Sequence, residues 1–386
     1  LPNLSSASQV MLLSALSDRG DAAALPAVIA ASKSNDGSVR IAALRAMGQL
    51  GGAESVEPLA QAAATTTGDE RKAARDSLYR LRGAEVDKVI LTAIPKAEPK
   101  VKVELLGAVG ERDIRAGLKT LLETAKDSDR KVRIQSLRVL KVVAGPEDVP
   151  ALVKLLVSAQ SSSDRSQAEK TVAAVAHKIE DKNHQAEAVL AVLPSVKAVP
   201  SRCSLLSVLG KIGDNTALPA LTAALKDSDT DVQTASIRAL AGWPSAEPLA
   251  DLLKVAESSD NEVHRILALR GFVRLLGLEN KRSAEESLAM YKKAMSLAPN
   301  AIEKRRVLSG LGNVQSLRAL QMAAGYLGDA NLSREASSAS VKIASGICGD
   351  HPKEADEVLK EIIAKTKEGD PLRNQAQEVI DKIKQP

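Results

Sequence analysis

The segment Lys126–Leu140, KDSDRKVRIQSLRVL, is echoed a hundred residues later by Lys226–Leu240, KDSDTDVQTASIRAL. A chain that restates one polar turn and one apolar spacing is assembled from copies of a small unit, and little else constrains its fold as strongly. In the two copies an apolar marker (Val132 or Val232) is followed at i+4, i+7 and i+8 by Ser136, Val139 and Leu140, or by Ser236, Ala239 and Leu240. Those positions share one face of an α-helix. The frame recurs from Val39, Val101 and Ser201, and more weakly from Ser8, Glu70, Asp164, His264, Glu303, Leu332 and Leu372. The starts at 8, 39, 70, 101 and 132 lie 31 residues apart; the interval widens to 37 before Ser201 and 40 before Leu372.

A second helix fits into each period. Pro26, Pro58, Pro150, Pro219 and Pro248 stand where its first turn would begin, a place that tolerates the missing N–H. Between the two helices lies a polar turn (KSNDGS, KDSDRK, KDSDTD) whose Asp and Ser can cap the marker helix. Glycine tends to follow the marker helix, as at Gly51–Gly52, Gly83, Gly110, Gly145, Gly210 and Gly242, the expected place for a left-handed cap. Small residues at i+4, among them Ala43, Ala74, Ser136, Ala168, Ser236 and Ala268, allow close helix approach. A pair of helices this short cannot bury its own apolar face, so neighbouring pairs must cover one another. The expected fold is therefore all-α: a right-handed α-α superhelix, a single solenoid over residues 1–386 with about 11–12 helical pairs. Neither end shows an evident polar cap, which suggests a piece of a longer chain or covered ends.

The stretches DRKVRIQSLRVLKVVAGPEDVPALVKLL and GDNTALPALTAALKDSDTDVQTASIRALAGW resemble HEAT repeats of the short bacterial, phycobilin-lyase-like kind, and the likeness extends over nearly the whole chain. More narrowly, ILALRGFVRLLGL (Ile266–Leu278) and EKRRVLSGLGNVQSLRAL (Glu303–Leu320) are similar to exported bacterial HEAT proteins joined to sugar-processing or cytochrome-containing domains. The resemblance implies an armadillo-like interaction scaffold and a periplasmic or exported location. Its alternative implication is a HEAT arm that orients a neighbouring sugar-active or redox domain. No such domain stands in this sequence, so its activity does not carry over.

Composition points the same way. Aromatic residues make up 1% of the chain, too few to build the usual aromatic-lined enzyme pocket. The histidines His177, His184, His264 and His351 show no HExxH spacing, and the one HxxE (His184, Glu187) lies in a polar stretch where a surface pair is expected. There is no His-Glu dipeptide of the kind that holds di-iron in HEAT hydroxylases, no phosphate-cradling glycine loop and no GxSxG elbow. Cys203 and Cys348, far apart in a repeat array, are expected as unpaired spectators. No catalytic residue, metal ligand or cofactor site is assigned, and the chain is not expected to be an enzyme. No apolar run is long enough to span a membrane.

Two basic columns remain. One follows the marker directly: Arg40, Arg71, Lys102, Arg133, Arg165, Arg202, Arg265, Lys304 and Arg373. It is expected to knit the stack by reaching the acidic turns, Asp36, Asp129, Asp229 or Asp231. The other lies six residues past the marker, at Arg45, Arg138, Arg238 and Arg270 with Lys170 between, and would face one open surface. With a net charge of +5, this column is the candidate contact for an acidic protein partner or an anionic glycan. Nucleic acid is disfavoured, because a groove here could offer almost no stacking aromatics. Trp243, in a turn between units, is either a partner anchor or a joint cover. The segment Glu279–Arg306 lengthens one period and is either a docking feature or one longer helix with a charged face.

Overall fold

The computed structural model describes residues 3–278 and 282–384. Among the described residues every regular element is a helix. The chain divides into two compact units, residues 1–208 and 209–386.

The first unit opens with α1 (Ser6–Arg19), α2 (Leu25–Ala31), α3 (Gly37–Leu50), α4 (Val56–Thr65), α5 (Gly68–Arg80) and α6 (Val86–Ala93). It continues with α7 (Pro99–Glu111), α8 (Leu118–Thr124), α9 (Arg130–Val143), α10 (Val149–Ser158), α11 (Ser162–Ala176) and α12 (Glu187–Val192). The unit boundary falls within α13 (Val199–Ile212). The second unit holds α14 (Leu218–Ala224), α15 (Thr230–Ala241), α16 (Leu249–Ser258), α17 (Glu262–Leu276) and α18 (Ala284–Leu297). It ends with α19 (Ala301–Leu311), α20 (Leu317–Ala324), α21 (Ser333–Ile347), α22 (Pro352–Lys365) and α23 (Pro371–Lys384).

The odd-numbered helices are the marker helices. In the first unit they pack side by side from α1 to α11, and each even helix from α2 to α10 lies against the odd helix that follows it. The second unit repeats the scheme, with α15 to α23 in one layer and α14, α16, α18, α20 and α22 against their successors. The repeating frame is the buried face. Val132, Ser136, Val139 and Leu140 are buried, as are Val232, Ser236, Ala239 and Leu240, and Val39, Ala43, Ala46 and Met47. Each large apolar side chain so covered contributes about 1.5–3 kcal/mol. The buried i+4 serines do not cost an unmade hydrogen bond: Ser136 Oγ donates to Val132 O at 2.9 Å, and Ser236 Oγ to Leu221 O at 2.6 Å.

Local signals behave as their chemistry requires. Asp36, Asp129 and Asp229 each accept from two backbone N–H groups at the start of α3, α9 and α15. Pro26, Pro58, Pro150 and Pro219 lie in the first turn of α2, α4, α10 and α14, and Pro248 immediately precedes α16. At the other end, long basic side chains satisfy terminal carbonyls of the preceding odd helix. Arg112 Nη1 donates to Tyr79 O and Leu81 O, Lys178 Nζ to Val142 O and Ala144 O, and Arg274 to Ala241 O and Trp243 O. These are carbonyls that a helix leaves unpaired.

The glycine reading needs correction. Of the glycines read as left-handed caps, only Gly83 has a positive φ (115°). Gly110 and Gly210 lie inside α7 and α13, where they admit a neighbour. A Cβ on Gly210 would come within 2.7 Å of Ala239 Cα, so glycine there serves helix approach rather than chain reversal.

Candidate partner interface

The column directly after the marker is built into the joints. Arg40, Arg133 and Arg165 each turn Nη1 back to the carbonyls five and six residues earlier: Ser34 and Asn35, Asp127 and Ser128, Ala159 and Gln160. Arg265 reaches Ser259 O, and Arg373 reaches Ile363 O and Thr366 O. Gln233, standing where the column has no base, donates to Asp227 O at 2.6 Å.

The expected acidic partners are only partly those observed. Asp36, Asp129 and Asp229 are spent on helix capping. The arginines instead reach forward to an acid on the next odd helix: Arg40 to Glu70 at 2.8 Å, Arg71 to Glu104 at 2.6 Å and Arg133 to Asp164 at 2.9 Å. Lys102 uses a turn acid, Asp127, at 3.0 Å. The Arg40 hydrogen bond holds Glu70 below the usual carboxylate range and raises Arg40. Burial would raise Asp127, but the Asp129 N–H and the Lys102 ammonium outweigh it and leave it lowered. The acids Glu104, Asp164 and Glu303 are almost fully buried, and charges so placed persist only when paired. For three of the paired acids the signal was present in the sequence: Glu70, Asp164 and Glu303 stand at the marker position, where Val39, Val101, Val132 and Val232 carry an apolar side chain.

The column six residues past the marker divides. Arg45, Arg138 and Arg238 are exposed and make no ion pair among the described residues. Arg270 sits at the same helical position, yet its guanidinium engages both oxygens of buried Glu303 on α19, the shortest contact being 2.6 Å. That bond raises Arg270 above its ordinary value. Arg45 lies at the rim of a polar cleft between α3 and α5, beside Asp69, Lys72, Asp76 and Arg80.

Trp243 leaves the candidate surface. Its side chain is fully buried, and Nε1 donates to Asn215 Oδ1 at 3.2 Å. With so few aromatics available, the second unit places its largest ring in a joint, where it excludes most water. In the lengthened period, residues 279–281 lie outside the described residues. The rest is not one longer helix: it forms α18, started by a reciprocal cap between Ser283 and Glu286, and, after a break at 298–300, the first residues of α19; Tyr291 is buried and Lys293 pairs with Glu257 at 2.6 Å. His184 pairs with Asp181 on the surface rather than with Glu187, and neither Cys203 nor Cys348 forms a disulfide. Among the described residues no three of His, Cys, Asp and Glu gather as a metal site would require, and no helix is long and apolar enough to cross a membrane.

Solved structures share the architecture. A Kap95p structure described with RanGDP superposes with a TM-score of 0.63 at 14% identity, covering 92% of this chain and 56% of that one. Yeast importin-beta (Kap95p) gives 0.59 at 11% identity, covering 93% and 57%. Kap121p bound to Ste12p gives 0.58 at 13% identity, covering 92% and 44%. The chain thus spans about half the length of these karyopherins, and at such identities the likeness shows the fold alone. No curated protein matches the chain in sequence. The family model for HEAT repeats matches residues 5–78, 86–173 and 197–272, more than half of the sequence. The chain belongs to the HEAT-repeat family.

Proposed function

We propose that this protein is a non-catalytic scaffold that holds an acidic protein partner through exposed arginines of its odd-numbered helices. The observation that carries the reading is the division of the +6 column: Arg45, Arg138 and Arg238 stand exposed without an ion-pair partner among the described residues, while the structurally committed Arg270 is tied to Glu303. Unpaired exposed arginines attract an acidic surface and speed its encounter. The karyopherin structures, described with RanGDP and Ste12p, support a protein as the kind of partner such a stack holds. The near absence of exposed aromatic rings supports protein over single-stranded nucleic acid.

Arginine footprinting tests the reading. With a co-purified partner bound, Arg45, Arg138 and Arg238 should lose reactivity toward phenylglyoxal, while Arg270 should be unchanged. Equal modification of all four with and without partner contradicts it. The similarity of Ile266–Leu278 and Glu303–Leu320 to exported HEAT proteins supports a second reading, an arm that positions an attached sugar-active or redox domain. A parent reading frame that continues into such a domain would favour it.

A further inference from the structure

The turn repeated a hundred residues apart changes sign between the two units. Before α9 it reads KDSDRKVR and before α15 KDSDTDVQ, so Arg130, Lys131 and Arg133 give way to Thr230, Asp231 and Gln233. The backbone beneath is held in the same way. Asp129 and Asp229 each cap their helix through two N–H groups, and Asp127 and Asp227 each accept from the N–H two residues on. What differs is the charge carried outward.

In each unit the neighbouring turn enlarges the patch. Residues 96–102 are tied to the first echo by the Lys102–Asp127 pair at 3.0 Å. Lys96 and Lys100 are exposed there, beside exposed Lys126, Arg130 and Lys131. None of these five makes an ion pair among the described residues, and within 96–102 and 126–133 the exposed acid facing them is Glu98. In the second unit the turns 226–233 and 258–265 line one cavity, through Lys226, Thr230, Asp260 and Asn261. Their exposed charges are Asp231, Asp260 and Glu262 against Lys226, and none of the three acids makes an ion pair among the described residues. Val263, 58% exposed, stands beside them.

The chain thus carries a basic rim on its first unit and an acidic rim on its second. Each is a pair of turns at the N-terminal ends of adjacent odd helices, so the charges of both are set out at the interhelical spacing of about 8–10 Å. Surfaces of one build and opposite sign complement each other, and complementary unpaired charge steers association and fixes its register. We propose that the basic rim of one copy docks on the acidic rim of a second copy of this chain. Lys100, Arg130 and Lys131 meet Asp231, Asp260 and Glu262, and the lysine stems lie against Val263. An anionic membrane would answer the basic rim alone, and that rim exposes no large apolar side chain to insert. The contact lies at the start of the odd helices and does not use Arg45, Arg138 or Arg238.

Sedimentation velocity of the full chain tests the proposal. At about 25 mM salt, where charges are screened over roughly 20 Å, reversible self-association that grows with protein concentration is expected. At about 300 mM salt it should weaken at least tenfold. K100E/R130E/K131E makes both rims acidic, and D231K/D260K/E262K makes both basic. Each variant alone should be monomeric, while their equimolar mixture should associate, because the two unreversed rims then complement one another. Thermal melting confirms that both fold. The single substitutions K131E and D231K should each weaken association, with recovery on mixing, and they carry the test if a triple variant fails to fold. A wild-type chain that stays monomeric at low salt, association that salt leaves unchanged, or a mixture that stays monomeric would each overturn the proposal. So would single-rim variants that associate as the wild type does. Monomeric wild type that binds phosphatidylserine vesicles, with binding lost in K100E/R130E/K131E, would also overturn it and assign the basic rim to a lipid surface.

Discussion

Arg45 and Arg270 occupy the same place in their helices, yet the chain uses them oppositely. Removing Arg270 leaves the Glu303 carboxylate, whose side chain is only 3% exposed, with Arg306 at 3.6 Å as its remaining base. Stranding a buried charge costs about 3 kcal/mol, whereas an exposed, unpaired arginine is worth within about 0.5 kcal/mol. Urea unfolding should therefore show R270A strongly destabilised and R45A close to wild type; equal midpoints would contradict the assignment. The acids carry a pH signature. Hydrogen bonds from the hydroxyls of Ser38 and Ser6 and from the Ser38 N–H hold Asp36 down from 3.8 to about 2. Its folded value is depressed, so the unfolded chain binds the proton more readily. The stabilisation is complete above the ordinary carboxylate range and is lost as pH falls toward about 2. D36N should flatten the fall of melting temperature between about pH 4 and about pH 2; an unchanged slope would show that the cap is not formed. Which arginines pair was not readable from the sequence, because the +6 position is the same in all four copies. Only the residue 33 positions on, Glu303 for Arg270, distinguishes them.

At the scale of the helix, the periodic apolar frame made the odd-numbered helices legible, and the Asp-capped turns and first-turn prolines marked where helices begin. The glycines were harder. Their position near helix ends suggested caps, but several accept a neighbouring backbone, and that depends on the register between helices, which no local pattern encodes. Gly271 in α17 is such a site, with Ala241 Cα 2.8 Å from where a Cβ would stand. Gly271→Ala gains about 1 kcal/mol of helix propensity but forces α15 and α17 apart, an overpacking cost of about 1–3 kcal/mol. Net destabilisation by urea unfolding is expected, although the same substitution on an exposed helix stabilises. A gain in stability would show that the two helices can move apart freely. Of the two readings of Trp243, the joint cover stands and the partner anchor does not: a turn is exposed in sequence logic, but its side chain can still fold beneath the next pair.

Across the molecule, the fold class was legible because it is stated about a dozen times, whereas the partner surface is stated only by what the joints leave unused. The buried acids draw the basic residue that follows the marker, and one of the +6 arginines, into the stack. Of the four +6 arginines, Arg45, Arg138 and Arg238 make no ion pair among the described residues. The most direct test is the triple substitution R45E/R138E/R238E, assayed for thermal stability and for affinity toward a purified partner. Unchanged melting with affinity lowered at least about tenfold, and more so at low salt, is the expected result. Unchanged affinity, or a collapse of stability comparable to that of R270A, would contradict the division between arginines that hold the stack and arginines that meet the partner.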